Sequence, residues 1–286
     1  MSLNDIKELI TIMKGFKIRF FFLLMVSVTI SLSFRGLCFK LLMSKTAKLP
    51  LKIMAPLCMT TAALNIVLPA RAGDFFRAFF VGQKYKIDKI KALGTVMFER
   101  IFDTFVVFIF LAFGIFFYHK NHLAMKLCTI AGIVIIFGIF FVITTYKYNR
   151  IDKICNFFIE KTNKFSFSQS IEKIAMFINK TCNSFFKGFE VVESPVQIGK
   201  VILAASFIWL FECINFYIVI LGFGLSIHWS ITLFLIGFIA LACMIPSTSI
   251  FIGPYQMAVI AAFAIYGTDK ELALSVAFVV NSYYYF

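Results

Sequence analysis

Two short stretches of an otherwise apolar chain contain side chains able to bind a charged ligand. Residues 68–77 read LPARAGDFFR, and residues 98–103 read FERIFD. The forked guanidinium of arginine suits phosphate, and carboxylates can serve as bases or as counter-charges. In a membrane such charges must lie at the interface, line a wet cavity or pair with one another, since each costs roughly 2.5–3.5 kcal/mol at the bilayer centre. The six side chains are Arg71, Asp74, Arg77, Glu99, Arg100 and Asp103.

The composition defines the class of protein that must position these charges. The 286 residues are 61% hydrophobic and 15% charged, whereas soluble domains are about 45–50% apolar and about 25% charged. Apolar runs recur at a length that can cross a bilayer, and they lack the alternation of a membrane β-barrel. We therefore predict an all-α, polytopic integral membrane protein with about seven or eight membrane segments, in one domain covering residues 1–286.

Lysine distribution predicts the orientation of these segments. The predicted spans are 18–37, 53–68, 92–118, 123–146, 201–221, 230–245, 255–266 and 272–286. The loops 71–91 and 147–200 are rich in lysine and should be cytoplasmic. Span 53–68 is short, and we expect Pro56 and Pro69 to interrupt it. Because residues 40–52 are also basic, we predict that 53–68 is re-entrant from the cytoplasmic side.

Residues 149–199 form the only extended polar region. Apolar residues recur there at steps of three and four, with lysines off that stripe. This pattern predicts a cytoplasmic amphipathic insert lying flat on the membrane, or alternatively a helix packed on the other helices.

The net charge of +14 fits positive-inside topology and attraction to anionic lipids rather than nucleic-acid binding, because the lysines lie in loops between spans. The seven cysteines are scattered without a Cys-x-x-Cys motif. His119 and His122 have no acidic or cysteine neighbour. We therefore expect no metal and no cofactor.

Two breaks in the apolar pattern look alike. Residues 64–73 and 242–254 each begin apolar, reach an aliphatic residue and proline, and continue with small or polar residues and glycine. Paired short segments of this kind point to a transporter's substrate site, as part of an inverted repeat, although chance similarity is the alternative. The predicted helix breaks are Pro69, Pro246 and Pro254, and a new helix should begin at Ala72.

Further polar residues fall within predicted spans. Glu99 and Asp103 lie at i and i+4 on one helix face and repel each other unless a base intervenes. We expect Arg100, or an arginine from residues 71–77, to be that partner. Glu212 and Asn215, at i and i+3, should face the same interior, as should Gln256. The alternative to a ligand site is a fixed ionic clamp between helices.

The motifs together resemble the membrane domain of lysylphosphatidylglycerol synthases, also called the flippase-like domain family. Its first motif matches Asn65, Leu68, Pro69, Arg71, Gly73, Asp74 and Arg77. Its second matches Glu99, Arg100 and Asp103, and its C-terminal motif matches Pro246, Ser247, Gly253, Tyr255 and Gln256. Asp74 replaces the family's usual glutamate, and residues 249–251 depart from its usual Pro-Gly-aromatic sequence.

The resemblance implies a lipid translocator of a bacterial or archaeal cell (inner) membrane, consisting of the membrane domain without the aminoacyl-transfer domain. It would move an anionic or modified lipid head group through a polar groove, with Arg71 and Arg77 on the phosphate. The implied lipid- or anion-binding residues are Arg71, Gly73, Asp74, Arg77, Gly253 and Gln256. The implied intramembrane charge network is Glu99, Arg100, Asp103, Glu212 and Asn215.

Two alternatives to a translocator stay open. The first is a membrane-embedded glycosyl- or acyltransferase in which Asp74, Glu99 and Asp103 serve as base or metal ligands. The second is an accessory subunit of a separate lipid-modifying enzyme. We expect transport rather than catalysis, because the sequence has no Gly-rich nucleotide loop and no Ser-His-Asp set. Anionic membrane lipids are the expected partners.

Overall fold

The regular elements of the described residues are helices. The computed structural model describes residues 11–68, 71–117, 181, 183–189, 194–225, 228–242, 254–264 and 267–282. We number the helices α1 (Ile18–Leu42), α2 (Leu51–Val67), α3 (Ala72–Tyr85), α4 (Lys89–Phe117), α5 (Pro195–Gly222), α6 (Ser230–Ala242), α7 (Pro254–Ala264) and α8 (Lys270–Ser282). Among them α1, α4 and α5 are long and apolar enough to cross a membrane, and α6 and α7 contain shorter apolar helices. The predicted all-α polytopic class is confirmed, while span 123–146 lies outside the described residues.

Large apolar side chains on the outer faces of the three long helices are exposed. They include Phe22 and Val26 of α1, Phe113 and Phe116 of α4, and Leu203 of α5. Such a surface is unfavourable in water and suits hydrocarbon.

The three long helices form the frame of the fold. The Lys17 amide donates to Gly222 O at 3.1 Å, and Gln197 Nε2 donates to Leu41 O at 3.0 Å, so α1 and α5 are antiparallel. Phe98 of α4 shares a core cluster with Leu42 and with Val201 at the start of α5. Helix α4 therefore runs in the same direction as α5. The end of the bundle where α1 finishes and α4 begins, here called the basic end, contains Lys40, Lys48, Lys84, Lys86 and Lys89.

Helices α2 and α3 form a hairpin that starts and finishes at the basic end. Met54 of α2 packs in one core cluster with Phe39 and Met43 of α1, and Val81 of α3 belongs to the same cluster. The hairpin therefore enters beside α1 and returns beside α4, as the re-entrant prediction requires.

The expected interruption of this segment at Pro56 is wrong, because α2 continues through it from Leu51 to Val67. Pro56 lies in the second turn, where its ring removes one helical hydrogen bond near the start of the helix, a loss that packed membrane helices tolerate. Pro69, the other expected break, lies outside the described residues.

The turn of this hairpin depends on two unusual backbone positions. Arg71 has a φ of 53°, in the left-handed region, and α3 begins at Ala72 as predicted. A Cβ atom on Gly73 would overlap Thr61 O and lie 2.8 Å from Asn65 Oδ1. Glycine therefore lets the first turn of α3 lie directly against the backbone of α2.

Helices α6 to α8 belong to the opposite end of the bundle. Gly114 and Leu111 of α4 face Phe234 and Gly237 of α6, which makes α6 antiparallel to α4. Helices α7 and α8 share a core cluster with the first half of α1 and the last part of α5. Two hairpins of short helices thus lie at opposite ends, the arrangement that an inverted repeat predicts. The repeat itself stays a prediction, because residues 243–253, with Pro246 and Gly253, lie outside the described residues.

The end of the predicted polar insert packs against α4. Thr95 Oγ1 donates to Gly188 O at 3.1 Å, and the rings of Phe98 and Phe189 stack with their centroids 4.3 Å apart. For residues 183–189 the structure thus supports packing on the other helices, and most of the remaining insert lies outside the described residues.

We expect Gly73→Ala to destabilise the protein by about 1–3 kcal/mol, because the added methyl forces α2 and α3 apart. Thermal unfolding in detergent micelles measures the loss. Gly199→Ala is the matched control, since a Cβ at that helical position meets no atom within 4 Å and alanine is the better helix former. Equal stability of the two variants would contradict the close approach at Gly73.

Candidate functional site: an arginine–carboxylate cluster at mid-depth

Charged side chains meet near the middle of the long helices. Asp103 is 14 residues from both Lys89 and Phe117, the ends of the 29-residue helix α4. At about 1.5 Å per residue it lies about 21 Å from each end, far from either mouth of the bundle. The Trp209 ring of α5 donates its Nε1 hydrogen to Asp103 Oδ1 at 3.2 Å, which ties the cluster to the second long helix.

The most buried pair of the cluster joins α3 to α4. Arg77 Nη2 lies 2.9 Å from Glu99 Oε2, and both side chains have no exposed area. The Arg77 guanidinium also lies over the Phe39 ring of α1, 4.6 Å from its centroid. A buried arginine held by both a carboxylate and an aromatic face has little freedom to leave its place.

Two further arginines hold Asp103. Arg35 Nη1 of α1 and Arg100 Nη1 lie 2.9 Å and 3.0 Å from Asp103 Oδ2. Arg35 also contacts Glu99 Oε1 at 3.3 Å. Asp103 therefore has two cationic partners in addition to the Trp209 donor.

Asp74 links the hairpin to the same cluster. Arg100 Nη2 lies 3.3 Å from Asp74 Oδ1, and Arg77 Nη2 lies 3.7 Å from the same oxygen. Asn65 Nδ2 of α2 donates to Asp74 Oδ1 at 3.3 Å, and the Asp74 amide donates back to Asn65 Oδ1 at 3.2 Å. Each of the three carboxylates thus contacts at least two arginines, and the ion-paired set is electrically neutral.

Sequence reasoning missed two members of this set. Arg35 and Trp209, not Arg71, complete the contacts of the acids. Arg35 is the only charged residue between positions 20 and 39, and an arginine within an apolar span needs an acidic partner. That signal was present in the sequence. The indole N–H of Trp209 gave no comparable signal, since Trp is common in apolar spans.

Arg71 is placed differently from the other arginines. It is exposed, and it makes no ion pair or hydrogen bond with the part of the chain that the structure describes. It is nevertheless close enough to Arg100 and Arg35 to be repelled by their charges and to Asp74 to be attracted. Its left-handed backbone costs about 1–3 kcal/mol, and such strain concentrates at functional positions.

The two signs of charge differ in their accessibility. The side chains of Arg35 and Arg100 are 16% and 26% exposed, whereas those of Glu99, Asp74 and Asp103 are 0%, 2% and 6% exposed. Together with the exposed Arg71, the accessible side of the cluster therefore presents bases, and the acids lie behind them.

The other predicted site residues are distributed as follows. Glu212 of α5 accepts hydrogen bonds from Ser31 Oγ at 2.9 Å and Asn215 Nδ2 at 3.5 Å, and Arg35 lies within range of its charge. Pro254 starts α7 and Gln256 is buried in it. Helix α7 packs chiefly against α6 and α8, so the structure places Gln256 on the other hairpin. Pro69, Pro246 and Gly253 lie outside the described residues.

Metal ligation finds no support in the described part of the chain. No group of three or more His, Cys, Asp or Glu side chains there is arranged to hold a metal ion. The three cluster carboxylates are instead occupied by arginines. The described cysteines Cys38, Cys58 and Cys213 are buried and unbonded to one another.

A family model described as the lysylphosphatidylglycerol synthase TM region matches residues 1–286, the whole chain. The chain belongs to this family. Membership makes it an integral membrane protein of lipid modification or translocation. Searches of curated proteins and of solved structures gave no match.

The motif residues of this member of the lysylphosphatidylglycerol synthase TM-region family converge in space. The first motif supplies its side chains from α2 and α3, and the second supplies them from α4. Residues separated by up to 38 positions along the chain thereby form one contact network, whose members from the motifs are Asn65, Asp74, Arg77, Glu99, Arg100 and Asp103.

We expect Arg77→Met and Glu99→Gln each to cost about 3–5 kcal/mol, because each leaves a buried charge without its main partner. The double variant removes one charge of each sign and keeps the remaining set neutral, so it should lose clearly less than the sum. Unfolding midpoints in detergent give the coupling, with Arg19→Met at the exposed start of α1 as control. Strictly additive losses would show that the pair does not stabilise the fold.

Proposed function

We propose that the protein translocates lipids, moving an anionic head group past the arginine–carboxylate cluster while the acyl chains stay in the bilayer. The observation that supports this most is the accessible cationic side of a charge cluster at mid-depth. The lipid partners and the role of Arg71 as first contact are part of the proposal.

An exposed arginine beside an apolar exterior requires a counter-charge. Arg71 has none among the described side chains, and its neighbours Arg35 and Arg100 repel it. A lipid phosphate is a suitable counter-charge, because it accepts two parallel hydrogen bonds from a guanidinium. The phosphate would thus offset the cost of keeping three arginines at this depth.

The sharing of carboxylates provides a means of admitting and releasing the phosphate. Asp103 is bound by both Arg35 and Arg100 at nearly equal distances. If Arg100 turns to a passing phosphate, Asp103 keeps Arg35 and the Trp209 N–H. No acid is left unpaired during the exchange, so the barrier to it is low compared with breaking a single buried pair.

A static clamp explains the cluster less well. A clamp would use its arginines in ion pairs between helices, as Arg77 is used. Arg71 makes no such pair, and its strained backbone holds a charged side chain at an exposed position. A role in binding accounts for both features.

We expect Arg71→Gln to lower the rate of lipid flipping by about tenfold or more, because one charged hydrogen-bond donor to the phosphate is lost. The assay follows fluorescently labelled phosphatidylglycerol in vesicles containing the purified protein, with an impermeant quencher outside. Arg71→Gly should flip as poorly and yet stay within about 1 kcal/mol of the parent in stability, since glycine adopts the left-handed backbone freely. Arg19→Gln serves as the control, and unchanged flipping in the folded Arg71 variants would reject the proposed role.

We also propose that the basic end faces the cytoplasm of a bacterial or archaeal cell. The support is the gathering of two separate lysine-rich segments at one end, which fits the positive-inside rule. The opposite end carries Trp229, an interfacial type of residue, beside Phe117 at 6.2 Å between ring centroids.

In intact cells, Lys48→Cys and Lys86→Cys should both resist an impermeant maleimide, whereas Trp229→Cys should react with it. All three positions are exposed, and labelling is scored against the parent protein. The two lysine positions flank the α2–α3 hairpin, so labelling of only one of them from outside would mean that the hairpin crosses the membrane.

A further inference from the structure

The cluster leaves no carboxylate free for a positively charged head group. We propose that the site accepts a phosphodiester lipid head group without an ammonium group and discriminates against aminoacylated, cationic lipids. This inference rests on the proposed function and narrows its substrate class.

The acids of the cluster are all engaged by arginines. Asp74, Glu99 and Asp103 are at most 6% exposed and each contacts two or three guanidinium groups. An ammonium group could reach them only by displacing an arginine, which would then be left without a counter-charge at mid-depth.

Other acids are poorly placed to receive an amine. Glu212 is buried and accepts hydrogen bonds from Ser31 and Asn215. The remaining acids of the described residues lie at helix starts, namely Asp88 before α4 and Asp269 and Glu271 at α8.

The second hairpin does not supply an acid either. Between residues 213 and 268, a stretch that includes α6, α7 and the segment between them, the sequence contains no Asp or Glu. Whatever path the head group takes past this hairpin, no side chain there can neutralise an ammonium group.

The accessible arginines add repulsion to this lack of partners. Arg71, Arg100 and Arg35 lie within range of one another's charges, and their attraction for phosphate is also repulsion for any amine bound beside it. Excess cationic charge at a low-dielectric site is strongly disfavoured. A lysine ester of phosphatidylglycerol has the same phosphate as the parent lipid but two added ammonium groups, so the pair isolates this effect.

Native mass spectrometry of the purified protein in detergent tests the proposal. The probes are phosphatidylglycerol, its lysine ester and phosphatidylcholine, mixed in equal amounts. We expect retention of phosphatidylglycerol to exceed that of the lysine ester by about tenfold or more, with phosphatidylcholine between them. Arg71→Gln should shrink this preference and Arg19→Gln should not.

A reversed charge provides the sharpest comparison. Arg71→Glu places an accessible acid at the turn without breaking an ion pair, so it should raise retention of the lysine ester and lower that of phosphatidylglycerol. Equal or better binding of the lysine ester by the parent protein would overturn the inference. Displacement of phosphatidylglycerol by inorganic phosphate as readily as by the lipid itself would assign the site to free phosphate and also overturn it.

Binding and flipping can fail separately. Selective retention of phosphatidylglycerol by a protein that does not flip it in vesicles would uphold this inference and reject translocation. Flipping of both lipids at the same rate would uphold translocation and reject the discrimination.

Discussion

The ion pair between Arg77 and Glu99 is the interaction on which the arrangement of the helices depends. It joins α3 to α4 at 2.9 Å with both side chains fully buried. The other contacts of the cluster are built around it, since Arg35 of α1 and Trp209 of α5 reach the same carboxylates or their neighbour Asp103. Neither charge can be removed singly without leaving the other uncompensated in an apolar interior. The re-entrant hairpin is therefore fixed to the long helices by charge as well as by packing.

The cluster separates two kinds of arginine. Arg77 is enclosed by Glu99, Cys58 and the Phe39 ring, and it is a structural counter-ion. Arg71 is exposed, unpaired with described residues and set on a left-handed backbone. Arg100 lies between these extremes, since it is partly exposed and shared between Asp74 and Asp103. This gradation from enclosed to exposed lets the same set of charges hold the fold and meet a ligand.

Sequence reasoning reached the helical class, the start of α3 at Ala72 and the grouping of residues 71–77 with 98–103. Those features follow from local apolar length, from the break at the turn and from the high cost of charge in a bilayer. It did not reach Arg35 as a partner of Asp103, because that contact joins residues 68 positions apart and only the packing of α1 on α5 brings them together. It also took Pro56 for a break, although one missing hydrogen bond does not end a helix whose two sides are packed. The exposed position of Arg71 was beyond reach for a similar reason, since it depends on which arginine the tertiary structure pairs with each acid.

The position of Arg35 also has a consequence for how the protein is made. Arg35 precedes Glu99 by 64 residues and Asp103 by 68, so a ribosome delivers this base well before either acid. Until α4 arrives, α1 contains a cation that costs roughly 2.5–3.5 kcal/mol at the bilayer centre. The nascent chain must therefore keep α1 at a hydrated or interfacial position and seat it fully only when α4 enters. Biogenesis of the two helices is thus a concerted event, and the translocation machinery handles them as one unit.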